Sequence, residues 1–365
     1  MAARRRGTAN SYGAHMASDT GTGPDPVQRA TAALAQAVYL LDRAPAPAQK
    51  VRAFQRAATV IGELGPDELE SRVAGSTLTE LPGIGPSTAS VVADAVKGVP
   101  SAYLEDLDRR SARPPGVGAT LREAIRSDLH CHTTWSDGGA PVAEMVATAV
   151  SLGHEHLAIT DHSPRLTVAH GLSLERLGRQ LDEIEELRGE VAPFRILTGM
   201  EVDILADGTL DLPEEALERL DVVVASVHSK LRMDADEMTR RMLRAVASPH
   251  VDVLGHCTGR RVTGTQRPPS SFDADAVFAA CAESETAVEI NCRPERRDPP
   301  GELIDLAARR GCLFAINTDA HAPGQMEWQN WGCDIATEHG LEPQRIINTW
   351  STGDLLGWAG SRPAG

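Results

Sequence analysis

No stretch of the 365 residues stays apolar for the roughly 20 positions that span a bilayer, so no membrane segment is expected. Arg4 to Arg6 are not followed by the hydrophobic run of a signal peptide, which argues against secretion. The cysteines Cys131, Cys257, Cys281, Cys292, Cys312 and Cys333 are scattered and never take a Cys-x-x-Cys spacing. They read as free thiols in a reducing compartment, which makes a cytoplasmic location the expectation. Positive charge is also short: 36 Lys and Arg face 51 Asp and Glu, for a net charge of -15. That balance argues against a protein that coats nucleic acid by charge alone, while leaving room for a local basic face.

What is present centres on Ser127-Asp128-Leu129-His130-Cys131-His132-Thr133-Thr134-Trp135-Ser136-Asp137-Gly138. Two histidines two positions apart at the end of a strand-like run point the same way, because side chains on a strand repeat every second residue. Asp137 sits on the loop that follows and can bend back toward them. The arrangement recurs along the chain. Apolar runs end in Asp161-His162, in Glu201-Val202-Asp203, in His228, in His256 and in Asp319-Ala320-His321. Histidines and carboxylates at the ends of successive parallel strands are how a barrel-like α/β fold gathers metal ligands from distant sequence.

Residues 1 to 23 show no periodicity and are expected to be a disordered tail, with Met16 as an alternative start and no role for His15. From Pro24 the pattern turns helical. Asp25-Pro26 supplies an N-cap and a proline at the first helical position, after which Val27, Ala30, Leu34, Val38 and Leu41 share one face. A second amphipathic helix covers Lys50 to Ile61, and a third starts near Pro66. In Leu81-Pro82-Gly83-Ile84-Gly85-Pro86-Ser87 the two glycines let the backbone turn sharply around Ile84. Their amides, with the helix start near Ser87, are placed to face an anion.

This turn resembles the helix-hairpin-helix motif, which holds a DNA phosphate without reading sequence. Residues 24 to 107 resemble the N-terminal helical domain of family X DNA polymerases. The resemblance implies DNA binding through Gly83, Ile84, Gly85 and Ser87. Ser87 and Val91 stand where members with lyase activity carry lysine, so Schiff-base chemistry is not expected. The Pro/Gly-rich, charged stretch from 108 to 125 reads as a linker. No polymerase core fits between Leu107 and Ser127, so nucleotide addition would fall to a separate polymerase.

From Arg126 to Trp358 short apolar runs alternate with helical segments, as βα units do. This region resembles the polymerase and histidinol phosphatase (PHP) superfamily, and especially the C-terminal PHP domain of bacterial family X polymerases. The similarity includes Gly255-His256-Cys257-Thr258-Gly259-Arg260, Glu289-Ile290-Asn291-Cys292-Arg293-Pro294 and Asn317-Thr318-Asp319-Ala320-His321. It implies a distorted seven-stranded β/α barrel and a trinuclear metal site. By that resemblance His130, His132, Glu201 and Asp319 hold one ion, Glu201, His228 and His256 a second, and Asp137, His162 and His321 a third. Asp161, Asp203 and Asp128 are expected to orient imidazoles. Mixed His and carboxylate ligands suit Zn²⁺, Mn²⁺ or Fe²⁺.

Such ions imply phosphoester hydrolysis, with Glu201 and Asp319 at the centre and Arg260, or Arg293 or Arg297, gripping phosphate oxygens. The expected partner is DNA at 3' ends or gaps, met by a 3'-5' exonuclease or 3'-end-processing repair activity. A phosphatase of the histidinol phosphate type, acting on a small phosphomonoester, is the alternative. A non-catalytic DNA-binding adaptor is the third reading.

Overall fold

A computed structural model describes residues 23–361. The expected disordered tail, with His15 and Met16, lies outside the described residues apart from Gly23. The chain divides after Ala112 into two compact units.

The first unit is helical: α1 (Pro26–Arg43), α2 (Ala48–Gly62), α3 (Pro66–Gly75), α4 (Pro86–Lys97) and α5 (Ala102–Ser111). Asp25 caps α1 by accepting from Gln28 N at 2.8 Å, and Gln28 Oε1 accepts from Asp25 N at 3.0 Å. This reciprocal pair satisfies two donors that the helix start would otherwise leave bare. Leu34 and Leu40 of α1, Phe54 and Ile61 of α2, Leu69 of α3 and Val91 of α4 share one core. Between α3 and α4, Gly83 takes φ +86°, a left-handed conformation that disfavours any residue with a Cβ.

The second unit opens with α6 (Ala119–Ala124) and β1 (Ser127–Asp128), followed by α7 (Val142–Ser151) and β2 (His156–Ile159). Next come α8 (Leu174–Glu190), β3 (Arg195–Asp203), α9 (Glu214–Leu217), β4 (Val222–Ser226) and α10 (Ala235–Val246). After these follow β5 (Val253–Leu254), α11 (Ala274–Glu283), β6 (Ala287–Asn291), α12 (Gly301–Arg310) and β7 (Phe314–Asn317), then α13 (Gln329–Glu338) and α14 (Thr352–Ala359). The strands pair in sequence order, all parallel. All five residues of β4, Val-Val-Val-Ala-Ser, are buried, as a strand covered on both faces requires.

The sheet curls until its ends meet. A parallel bridge joins Cys131 to Ala320, and His132 N donates to Ala320 O at 2.7 Å. Seven parallel strands thus make a nearly closed α/β barrel flanked by helices, and the residues expected as metal ligands lie at or just beyond the C-terminal ends of its strands.

The stretch expected as a linker is ordered differently. Residues up to Ser111 complete α5, and those from Arg113 onward belong to the barrel unit. Asp334 Oδ1 accepts from Gly116 N and Gly118 N, both at 2.8 Å, while Leu121 and Ile125 join the barrel core. Two apolar side chains spaced one helical turn apart provide a reason to pack that the Pro/Gly content concealed. All six cysteines are free and buried. No helix among the described residues is long and apolar enough to cross a membrane.

Candidate metal centre

Glu201, on β3, is the hub. Its carboxylate lies 2.8 Å from His256 Nε2, 2.9 Å from His162 Nδ1, 3.2 Å from His228 Nε2, 3.4 Å from His130 Nε2 and 3.6 Å from His132 Nε2. Asp319 Oδ1 is 3.4 Å from His132 Nε2. Asp137 Oδ1 stands 3.5 Å from His162 Nε2 and 3.4 Å from His321 Nε2. All nine residues expected as ligands are therefore brought to one place. Three sets of donor atoms, each within 4.8 Å of one another, emerge: His132, Asp137, His162 and His321; His130, His132 and Glu201; and His162, Glu201 and His228.

The donors fit cations. Nε2 of His130, both ring nitrogens of His132 and His228, and Nδ1 of His256 are buried without a hydrogen-bond partner among the described residues. Buried polar atoms are normally satisfied, and several imidazole nitrogens converging without partners on carboxylates is what a divalent metal site requires. Protonation states agree. Burial alone would push the Glu201 carboxyl up, but the surrounding His228, His130 and His162 hold it well below the usual range. Asp319 is likewise held low against burial by Arg293 and His130. Burial, with His321 and His162 alongside, keeps the His132 imidazole well below its ordinary value and hence neutral.

The supporting residues differ in part from expectation. Asp203 does reach His228, accepting from its backbone N at 3.2 Å with Nδ1 at 3.5 Å. Asp161 orients no imidazole. It accepts from Thr133 N at 2.8 Å, Thr133 Oγ1 at 2.7 Å, Gln180 Nε2 at 2.6 Å and the Ser136 hydroxyl, so it shapes the loop between His132 and Asp137. Asp128 similarly accepts from His130 N at 3.2 Å and from the Thr318 hydroxyl, tying β1 to β7. The imidazole-orienting role passes to Glu289 in β6, 2.7 Å from His130 Nδ1, a residue whose role sequence reasoning missed. A carboxylate in the middle of a buried apolar strand was the available signal.

The arginines also rearrange. The Arg260 guanidinium does not face the donor cluster: Nε donates to Arg296 O at 3.2 Å and Nη2 to Arg297 O. Carbonyls exposed by the tight turn at Arg297, φ +47°, draw it away. Arg293 Nη1 instead donates to Asp319 O at 3.2 Å, and Arg296 Nε lies 3.1 Å from Asp319 Oδ2. Arg296 carried no sequence signal.

In the first unit, the hairpin-like turn offers fewer amides than expected. Ile84 N donates to Leu81 O at 3.1 Å and Gly85 N to Thr88 Oγ1 at 2.9 Å. Ile84 is buried in the core, while Gly83 and Ser87 are exposed. Ser87, in the first turn of α4, has an amide with no intrahelical partner.

A parallel β/α barrel with His and carboxylate donors at its strand ends defines a metal-dependent hydrolase. The family model of the PHP domain matches residues 128–292. A "DNA polymerase/3'-5' exonuclease PolX" of Bacillus subtilis is 38% identical over 231 residues, which are 63% of this chain and 40% of that relative. The chain thus spans less than half of that relative's length. A "probable phosphatase" of Caldicellulosiruptor saccharolyticus is 30% identical over 210 residues, 54% of this chain and 80% of the relative. Among solved structures, histidinol phosphate phosphatase from Lactococcus lactis, complexed with zinc, L-histidinol and phosphate, is similar at a TM-score of 0.45 and 20% identity, over 60% of this chain and 95% of that one. The chain belongs to the PHP domain family and is a metal-dependent phosphoesterase.

Proposed function

We propose that the barrel hydrolyses phosphoesters of DNA at 3' ends, as a 3'-5' exonuclease or 3'-end-processing enzyme. The carrying observation is the likeness of 63% of this chain, at 38% identity, to a relative named for that exonuclease activity. Glu201, Asp319, His130 and His132 would hold one ion, Glu201, His228 and His256 a second, and Asp137, His162 and His321 a third. Divalent ions held there, Zn²⁺, Mn²⁺ or Fe²⁺, supply a water of lowered pKa and neutralise phosphate oxygens. The chain itself keeps both carboxylates ionised and His132 neutral, and it packs Arg293 and Arg296 against Asp319. The exposed amides of Gly83 and Ser87 are the hairpin's remaining means of holding a DNA phosphate.

The small-phosphomonoester reading is favoured by one observation, that the chain covers 80% of a relative named a probable phosphatase. Hydrolysis by Mn²⁺-loaded protein of 3'-recessed DNA, 3'-phosphorylated DNA and histidinol phosphate in parallel, with His132→Ala as control, separates the two. Products released from DNA and abolished in the variant are expected. Turnover of histidinol phosphate alone would reject the DNA reading.

A further inference from the structure

Of the 36 basic residues only Lys50, Lys97 and Lys230 are lysine. Several of the arginines gather on the two loops that follow β5 and β6, although the chain is strongly acidic. The loop after β5 folds back on itself through an antiparallel bridge between Arg261 and Arg267, whose backbone bonds measure 2.9 and 3.0 Å. Residues paired this way put their side chains on one face, and like charges directly opposite each other are destabilising. The loop after β6 is laced to it: Val262 N donates to Glu295 O at 2.7 Å, and Arg260 donates to the carbonyls of Arg296 and Arg297.

These cations are poorly neutralised. Among the described residues no carboxylate lies within ion-pairing distance of the Arg260, Arg261, Arg267 or Arg297 guanidinium. Arg267 Nε donates only to Gly259 O, at 2.6 Å. Burial and then the neighbouring Arg296 and Arg261 lower the Arg267 pKa, an independent sign that the charges crowd one another. The patch adjoins the donor cluster through Arg296, whose Nε is 3.1 Å from Asp319 Oδ2.

We infer that these two loops form a cationic rim that holds successive backbone phosphates of a single DNA strand on the His256 and Asp319 side of the centre. The inference rests on the DNA reading above and deepens it, assigning the grip on the strand to the barrel unit itself. A phosphomonoester carries one phosphate and leaves most of the rim without a partner. A polynucleotide supplies phosphates in series, and arginine's planar fork suits each of them.

Binding measured without turnover tests this. A fluorescently labelled single-stranded oligonucleotide is titrated with the full chain in chelator, across a range of salt, and followed by anisotropy. The double variant Arg261→Glu/Arg297→Glu is expected to bind about tenfold more weakly at low salt. Its log-log salt slope is expected to be shallower by about 1.4, roughly 0.7 for each phosphate contact removed on a single strand. Arg179→Glu, an exposed site on α8, carries the same kind of charge reversal and is expected to change binding less than about twofold. Equal losses in the two variants, an unchanged slope, or no binding by the parent protein overturns the rim. So does displacement of the oligonucleotide by inorganic phosphate at fixed ionic strength, which would mark a single-phosphate site. Because nothing is hydrolysed in chelator, a failure to cleave DNA would reject the proposed activity without touching this result.

Discussion

Glu289 Oε1 lies 2.7 Å from His130 Nδ1, and the other carboxylate oxygen accepts from His256 N at 2.7 Å and from Asn291 Nδ2 at 3.0 Å. One buried side chain from β6 thus fixes the ring of one donor and the backbone of another. Against burial, His130 holds the Glu289 carboxyl below its usual range, so it stays charged.

Glu289→Gln keeps the shape but removes the charge and sets an amide donor against an N–H. Metal affinity is expected to fall by about 10–100-fold, the usual effect of losing a ligand's supporting carboxylate. Competition with a chromogenic chelator measures it; unchanged affinity would mean that His130 needs no such support.

Metal uptake should release protons. In the metal-free protein burial opposes a charge on His228, but Glu201 and Asp203 raise it to about 9. His130 is also raised well above its ordinary value, where Glu289 and Glu201 outweigh burial. Both rings are raised groups: protonated below their folded pKa, and losing the proton only as pH rises through it. An entering ion must displace those protons, so affinity climbs as pH rises toward about 9 and falls below it, by about tenfold per pH unit for each proton displaced. Calorimetry near neutral pH in two buffers of different ionisation heat reads the release directly. Identical heats in both would contradict this protonation pattern.

Two glycine substitutions should separate the units. At Gly83 a Cβ meets no atom within 4 Å, so Gly83→Ala carries only the left-handed backbone penalty of about 1–2 kcal/mol and leaves metal content alone. At Gly255 a Cβ would sit 2.3 Å from Ser226 Oγ and 2.8 Å from a Val224 methyl. Gly255→Ala must therefore displace Ser226 and Val224 on β4 or shift the backbone that carries His256, and metal content should drop with little change in the helical unit. Metal analysis beside denaturant unfolding distinguishes the two outcomes.

Much of the donor set was legible because strand ends recur: an apolar run closed by His, Asp or Glu marks a ligand position whatever the intervening sequence. The helical unit was legible through Asp25-Pro26 and the spacing of Ala30, Leu34 and Leu41. Glu289 escaped because a strand pattern shows that a residue is buried but not which ring it faces. Arg260 and Arg296 exchanged places because their directions depend on two loops meeting, a relationship no periodicity encodes. Asp161 was placed beside the right histidine but serves the backbone of a loop from another strand, which only the folded barrel brings within reach.

The junction of β1 with β7 has a consequence in time. Asp128 accepts from the hydroxyl of Thr318 across 190 positions, so the seam that places Asp319 beside His132 forms only after nearly the whole barrel has left the ribosome. Contacts this distant in sequence also form slowly. A nascent chain halted after β6 carries His130, His132 and Glu201 but neither Asp319 nor His321. Completion of the donor cluster is then a late event: two of its three groups are already synthesised by the end of β6, while the group that needs His321 waits for the strand that closes the barrel.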